Sequence, residues 1–182
     1  TGAKKLFSIA KYIFKNYECE YISAFALSHD NLNRPKKTIK VVVKIFEKYI
    51  NELLLNHYKY DFNVMIIGNI SFLNRNIKNK INKINLQNNK TKKNLVIFFN
   101  YSGSEDIKLA IKKINKYSLR NYNLKNVLMT RNIPEPDILI RSGGFQRLSD
   151  FLLFQVRYTE LFFIKKLWPD LNNQDIKKCI SI

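Results

Sequence analysis

The sequence predicts an α/β fold: a single domain in which a central, mostly parallel sheet is flanked by helices. Short apolar runs of strand length, Tyr21–Leu27, Asn63–Ile67 and Leu95–Phe99, alternate with stretches of helical periodicity. Each run ends in a polar loop, the pattern of strand–helix units that build a parallel sheet. The 182 residues, 46% hydrophobic and 13% aromatic, supply enough apolar surface for one core. No internal repeat, low-complexity linker or second domain is visible.

Along the chain, Ala3–Tyr17 repeats Leu6, Ile9, Ala10, Ile13 and Phe14 at helical spacing. Tyr21–Leu27 reads as an interior strand and opens into the polar loop Ser28-His29-Asp30-Asn31-Leu32-Asn33-Arg34-Pro35. Asp and Asn in such a loop commonly cap nearby backbone amides ahead of a helix. Thr38–Leu55 is an amphipathic helix with Ile39, Val42, Val43, Phe46, Ile50, Leu53 and Leu54 on its apolar side, and His57 follows on the surface. After the strand Asn63–Ile67, Gly68-Asn69 turns the chain, and Leu73, Ile77, Ile81 and Ile84 mark a basic-faced helix.

Asn88–Asn94 is a surface loop before the strand Leu95–Phe99. Asn100–Asp106 then turns into a helix over Ile107–Tyr117, with Glu105 and Asp106 suited to its first turn by the helix dipole. Asn121–Asn132 is expected to hold a second short helix. Pro134 and Pro136 fix an extended lead-in to the strand at 138–140. Leu152–Tyr158 is expected to be a short helix, Glu160–Ile164 a strand, and Asn173–Ile180 a last helix.

The net charge of +18 is extreme. Such a surface attracts phosphates, nucleic acid or an anionic membrane, and charge alone does not choose among them. Residues 62–104 carry Arg75 and six lysines but no acidic side chain, a face suited to peripheral contact with lipid or simply to solvent. Cys19 and Cys179 lie far apart with no metal-ligand spacing, which fits a reducing compartment rather than a disulfide framework. No apolar run reaches transmembrane length.

The chemistry concentrates after the strand at 138–140. Arg141 sits at its carboxyl end, where open α/β sheets place their ligand crevice, and Ser142-Gly143-Gly144, Arg147 and Ser149 follow. Two arginines, a hydroxyl and exposed glycine amides within nine residues make a plausible diphosphate cradle, because guanidinium forks match phosphate oxygens bidentately. The alternative is an ordinary turn beside two solvated charges.

The string IRSGGFQRLSDFLLFQ, with YTELFF and LWPDL after it, resembles the signature of the cis-prenyltransferases, the family of undecaprenyl and dehydrodolichyl diphosphate synthases. SHDNLNRP resembles the family's SSENWNRP-type loop, with Asp30 and Leu32 in place of Glu and Trp, and NYSGS resembles its NYGGR-type turn. The resemblance runs from Gly2 to Asp170. It implies an undecaprenyl diphosphate synthase-like sheet with a deep apolar tunnel walled in part by the Thr38–Leu55 helix. It further implies that Ser28, Asn31 and Arg34 border the reacting isoprenoid ends, with Asn31 the catalytic candidate and His29, Asp30 and Leu32 beside it as substrate-binding positions. Arg141, Arg147, Leu148 and Ser149 would bind isopentenyl diphosphate, and Glu160 would help hold Mg²⁺, an ion suited to hard carboxylate oxygens. Phe145 stands where many members have Glu, which removes a carboxylate from the cradle.

The family's Asp-Gly-Asn-Gly-Arg-type phosphate loop and first strand are expected upstream of Thr1. The implied partners are isopentenyl diphosphate, an allylic prenyl diphosphate, a second copy of the chain, and the cytoplasmic face of a membrane (the endoplasmic reticulum in a eukaryote). No nucleic acid is expected. Two other readings stay open: a non-catalytic accessory subunit of a heteromeric cis-prenyltransferase, and a basic nucleic-acid-binding module.

Overall fold

A computed structural model describes residues 2–56, 59–87, 89–117 and 122–181. His57, Asn88 and Asn121 lie outside these residues. The elements follow the order α1 (Gly2–Asn16), β1 (Tyr21–Ser28), α2 (Lys36–Asn56), β2 (Asn63–Ile67), α3 (Arg75–Leu86), β3 (Asn94–Tyr101), α4 (Gly103–Lys116), β4 (Ile138–Ser142), β5 (Glu160–Ile164) and α5 (Asn173–Ile180).

All the strand pairs described are parallel. β1, β3 and β2 form one sheet in that order, with β3 central, and β4 pairs with β5 in a second, two-stranded sheet. β3 is buried on both faces, which explains why its sequence is a continuous apolar run rather than an alternating one. Leu95, Ile97 and Phe99 point into a core shared with α1, α2 and α3, where Phe14, Ile50, Leu53, Phe62, Ile77, Ile81 and Ile84 are buried. Val96, Phe98 and Tyr101 face the opposite layer, with Ile133, Phe151 and Leu152. A third cluster joins Ile9 and Ile13 of α1 to Leu171 and Ile176, with Ile140 and Ile164 of the smaller sheet packed against it. Helix α1 thus contributes to clusters on both sheets.

One expected helix is absent and another is reduced to a single 3₁₀ turn. Leu152–Tyr158 is a chain of turns, because Leu152 has a left-handed backbone (φ +50°) that breaks helical continuity while its side chain is drawn into the core. Within 122–132 only the 3₁₀ turn Leu124–Asn126 forms, capped by the Asn123 side chain, and Leu128 and Thr130 are buried from irregular backbone. Phe46, on the apolar side of α2, packs on the central strand. There Phe46 stacks on Phe99 with ring centroids 3.5 Å apart, and Phe72 lies behind Phe99 at 6.4 Å. An open cleft of about 460 Å³ lies between α1 and α2, lined by Phe7, Leu53, Tyr60, Lys11 and Glu52 among others.

Candidate active site

The carboxyl ends of the parallel strands carry the residues singled out by the sequence. At the end of β1 the register slips between Phe25 and Ser28, an irregularity that re-aims side chains at the sheet's rim. The chain then enters a 3₁₀ turn, His29–Asn33, ending at Arg34. The Asn31 amide donates from Nδ2 to Ser28 Oγ, so these two polar groups are held as a pair. His29 Nδ1 lies 3.1 Å from Asn100 Oδ1, at the end of β3. Asp30 and Arg34 are exposed, and Leu32 packs half-buried against the main core, so it is not an exposed stacking surface.

Next to this rim, β2 is followed by Gly68, whose φ of +141° and close approach to β3 admit no side chain: an added Cβ would lie 1.9 Å from the Phe99 carbonyl oxygen. That approach brings Asn69 to Asn100. The Asn69 N–H donates to the Asn100 carbonyl at 3.0 Å, and Asn100 Nδ2 donates to the Asn69 carbonyl at 2.5 Å. Asn100 is 2% exposed and left-handed (φ +52°), a conformation that Asn tolerates better than most residues.

The second cluster lies beyond β4. Arg141 Nη1 donates to Ser149 Oγ at 2.8 Å and to the Arg147 carbonyl oxygen. This brings Arg141, Arg147 and Ser149 together as the sequence predicted. The Phe145 ring lies under both guanidinium groups, with its centroid 4.4 Å from Arg147 Cζ and 5.9 Å from Arg141 Cζ. Among the described residues neither arginine forms an ion pair. Partial burial and the neighbouring Arg147 charge lower the Arg141 pKa, the mark of an uncompensated pair of cations. Leu148 is half-buried, and its carbonyl accepts from the Phe151 N–H.

The glycine amides do not join this cradle. Gly143 N–H donates to the Lys166 carbonyl at 2.8 Å and Gly144 N–H to the Ile164 carbonyl at 3.0 Å, which extends the pairing past the end of β5. Their φ values of +93° and +78° turn the chain while those bonds are kept.

Asp150 went unnoticed in the sequence, yet it anchors the cradle. Its carboxylate accepts from Ser104 N–H at 3.0 Å, Ser104 Oγ at 2.8 Å and Ser102 Oγ, and its carbonyl accepts from Gly103 N–H at 2.7 Å. Burial alone would raise the Asp150 carboxyl, but the hydrogen bonds from Ser102 and Ser104 outweigh it and hold the group below the usual carboxylate range. Ser149 and Asp150 have left-handed backbones (φ +51° and +62°), conformations that persist only where the surroundings impose them. Five residues, Asn100–Ser104, therefore hold both clusters: Asn100 binds His29, and Ser102–Ser104 bind Asp150.

Asp106 also does more than its helix-dipole role. It is 1% exposed and accepts from Met129 N–H at 2.7 Å and Tyr101 Oη–H at 3.2 Å. Burial pushes its carboxyl up despite those bonds. Glu105 alone behaves as a surface first-turn acid, 3.8 Å from Lys108.

Glu160 is separate from the cradle within this chain. It opens β5 opposite Ile138, whereas Arg141 pairs with Phe163, so about 10 Å of strand lies between them. Its side chain is exposed, and its N–H donates to the Asp137 carbonyl at 2.9 Å. No group of three or more His, Cys, Asp or Glu among the described residues is placed to hold a metal. Glu160 by itself offers one hard oxygen ligand, which fits Mg²⁺ only as part of a set completed by phosphate, water or another carboxylate.

Comparisons with known proteins establish the family and the fold. The family model described as "Putative undecaprenyl diphosphate synthase" matches residues 1–182. The farnesyl-diphosphate-specific ditrans,polycis-undecaprenyl-diphosphate synthase of Buchnera aphidicola is 36% identical over 190 residues, covering 99% of this chain and 76% of its own. Dehydrodolichyl diphosphate synthase 4 of Arabidopsis thaliana is 33% identical over 185 residues, covering 95% and 64%. The crystal structure of a probable undecaprenyl diphosphate synthase from Campylobacter jejuni superposes with a TM-score of 0.85 at 25% identity, over 99% of this chain and 86% of that one. The chain belongs to the undecaprenyl diphosphate synthase family of prenyltransferases.

Proposed function

We propose that this prenyltransferase condenses isopentenyl diphosphate onto an allylic prenyl diphosphate such as farnesyl diphosphate, making a cis-polyprenyl diphosphate for a glycosyl carrier lipid. The carrying observation is the cradle, where Arg141 and Arg147 sit side by side on the Phe145 ring and, among the described residues, form no ion pair with a carboxylate. A diphosphate supplies the missing negative charge, and Ser149 Oγ adds a hydrogen-bonding group next to it. This is the half-site for isopentenyl diphosphate. The allylic diphosphate would lie towards Asn31 and Arg34.

Asn31 is a neutral amide already donating to Ser28, so its role is to orient a substrate rather than to hold a proton. Mg²⁺, when bound with the diphosphates, would relieve their mutual repulsion and ease leaving-group departure. Glu160 is the carboxylate this chain offers to it. Because Glu160 opens β5 at the end away from Arg141, it suits a site shared with a second copy of the chain. Leu153, Tyr158 and Leu161 are large apolar side chains exposed around the same strand, which favours a homodimer through that edge. The basic surface of α3, with Lys78, Lys80 and Lys83, favours peripheral contact with an anionic membrane. Among the described residues no helix is long and apolar enough to cross one.

The test is prenyl transfer with labelled isopentenyl diphosphate, farnesyl diphosphate and Mg²⁺. A ladder of products longer than farnesyl supports the reading. Diphosphate binding without product would instead favour an accessory subunit, for which the Phe145 substitution is the specific argument.

A further inference from the structure

Arg141 and Arg147 form no ion pair among the described residues, although a carboxylate lies close to both in the chain. Asp150 comes three residues after Arg147 and directly follows Ser149, whose Oγ accepts from Arg141 at 2.8 Å. Of the other acidic groups on these strands, Asp137 precedes β4 and Glu160 opens β5, both at the ends away from Arg141. Guanidinium and carboxylate groups brought together form charge-assisted hydrogen bonds. Here the Asp150 carboxylate is turned instead to the start of α4. It accepts from Ser102 Oγ, from Ser104 Oγ at 2.8 Å and from Ser104 N–H at 3.0 Å. Ser102 is the N-cap of α4 and its Oγ also accepts from Glu105 N–H at 3.1 Å, so the hydroxyl that holds Asp150 is itself fixed. A helix start favours a negative charge. The docking is close: Gly103 N–H donates to the Asp150 carbonyl at 2.7 Å, and a Cβ added at Gly103 would lie 2.9 Å from the Leu153 nitrogen. Successive left-handed residues (φ +51° and +62°) thus present Ser149 to Arg141 and Asp150 to α4.

We propose that Ser102 and Ser104 are positioning residues of the diphosphate site: by holding the Asp150 carboxylate on α4, they keep Arg141 and Arg147 unpaired for an incoming diphosphate. That the diphosphate is isopentenyl diphosphate rests on the prenyl-transfer reading above. Released from the serines, the carboxylate is next in the chain to a residue that already touches Arg141, and it competes with the ligand for the same guanidinium N–H groups. A diphosphate must then displace an internal ion pair before it binds. Two substitutions therefore act in opposite directions. Losing the serines weakens the site, and removing the Asp150 charge in that background restores it. A plain structural anchor behaves differently, because losing either side of the contact, or both, loosens the cradle without recovery.

Isothermal titration of the full chain with inorganic diphosphate reads the effect without turnover. Ser102→Ala/Ser104→Ala should bind about fivefold more weakly than wild type, the scale of one exposed ion pair. Adding Asp150→Asn should return the Kd close to that of Asp150→Asn alone. An unchanged Kd in the serine variant, a loss that Asp150→Asn does not relieve, or no diphosphate binding by wild type overturns the proposal. If the serine pair melts too low to titrate, Ser104→Ala keeps the Ser102 cap and carries the same comparison. In steady state the serine change should raise the KM for isopentenyl diphosphate, with kcat and the KM for the allylic diphosphate near wild type. The expected binding pattern without prenyl product from wild type would support the proposal and remove the prenyl-transfer reading.

Discussion

β3 is buried from Leu95 to Tyr101, whereas no residue of β4 or β5 is fully buried. The foundations of the two clusters differ accordingly. The Ser28–Arg34 cluster is positioned through Asn100 at the end of a strand clamped between two hydrophobic layers. The Arg141–Ser149 cluster rises from a half-covered two-stranded sheet. It is held by polar bonds: Asp150 to the start of α4, Gln155 to Thr130 at 2.5 Å, and Thr159 to the Pro136 carbonyl at 2.6 Å. Hydrophobic burial is non-directional and supplies rigidity in bulk, whereas hydrogen bonds fix direction at individual points. A polar turn whose side chains are held in fixed directions gains from the first kind of foundation. A diphosphate cradle gathers charge over several oxygens and can rest on the second.

The sharpest test of this contrast is Phe98→Ala. Phe98 is fully buried, with ring contacts to Tyr101 at 4.7 Å and Phe151 at 5.1 Å, and its truncation should cost about 3–5 kcal/mol of unfolding free energy in urea. A cost below that of removing Asp150 would break the comparison. Arg141→Ala should follow, raising the apparent KM for isopentenyl diphosphate about 10- to 100-fold through loss of charge-assisted hydrogen bonds. Thermal stability should change little, since the guanidinium is near the surface; steady-state kinetics beside a melting curve checks both halves.

Asp150→Ala removes a cap shared between the cradle and α4, at about 1–2 kcal/mol. The native-state carboxyl is depressed, so its contribution is complete above the unfolded pKa of about 3.9 and is lost as pH falls through the lower folded value. Wild type and Asp150→Ala should therefore converge in stability in acid, and a gap that persists there would show that the carboxylate charge is not what holds the cradle. The smallest effect belongs to Phe145→Leu. Losing the ring beneath two guanidinium groups should weaken inorganic diphosphate binding about two- to fivefold, and Phe145→Tyr should bind as wild type does.

The strands and the long helices were legible because their burial is periodic: Asn63–Ile67, Glu160–Ile164 and Asn173–Ile180 have the expected bounds, and α2 and β3 differ by a residue or two at either end. Leu152–Tyr158 misled because Phe151 and Leu152 are apolar for a core reached from a left-handed turn, and periodicity does not report φ. The cradle was legible as Arg141, Arg147 and Ser149, whereas the glycine amides beside it were misassigned because their acceptors, Ile164 and Lys166, lie about twenty residues on. Asp150 carried one faint signal, adjacency to Ser149, and its partners Ser102 and Ser104 are nearly fifty positions away.

By itself the sequence determined the family, the α/β class and which residue types gather after β4, since these rest on local patterns of apolarity, charge and motif. Only the tertiary structure decided that Asn100–Ser104 hold both clusters, that Glu160 stands apart from the arginines, and that His29 meets Asn100. Those are questions of contact and direction between distant segments, and a linear sequence carries neither.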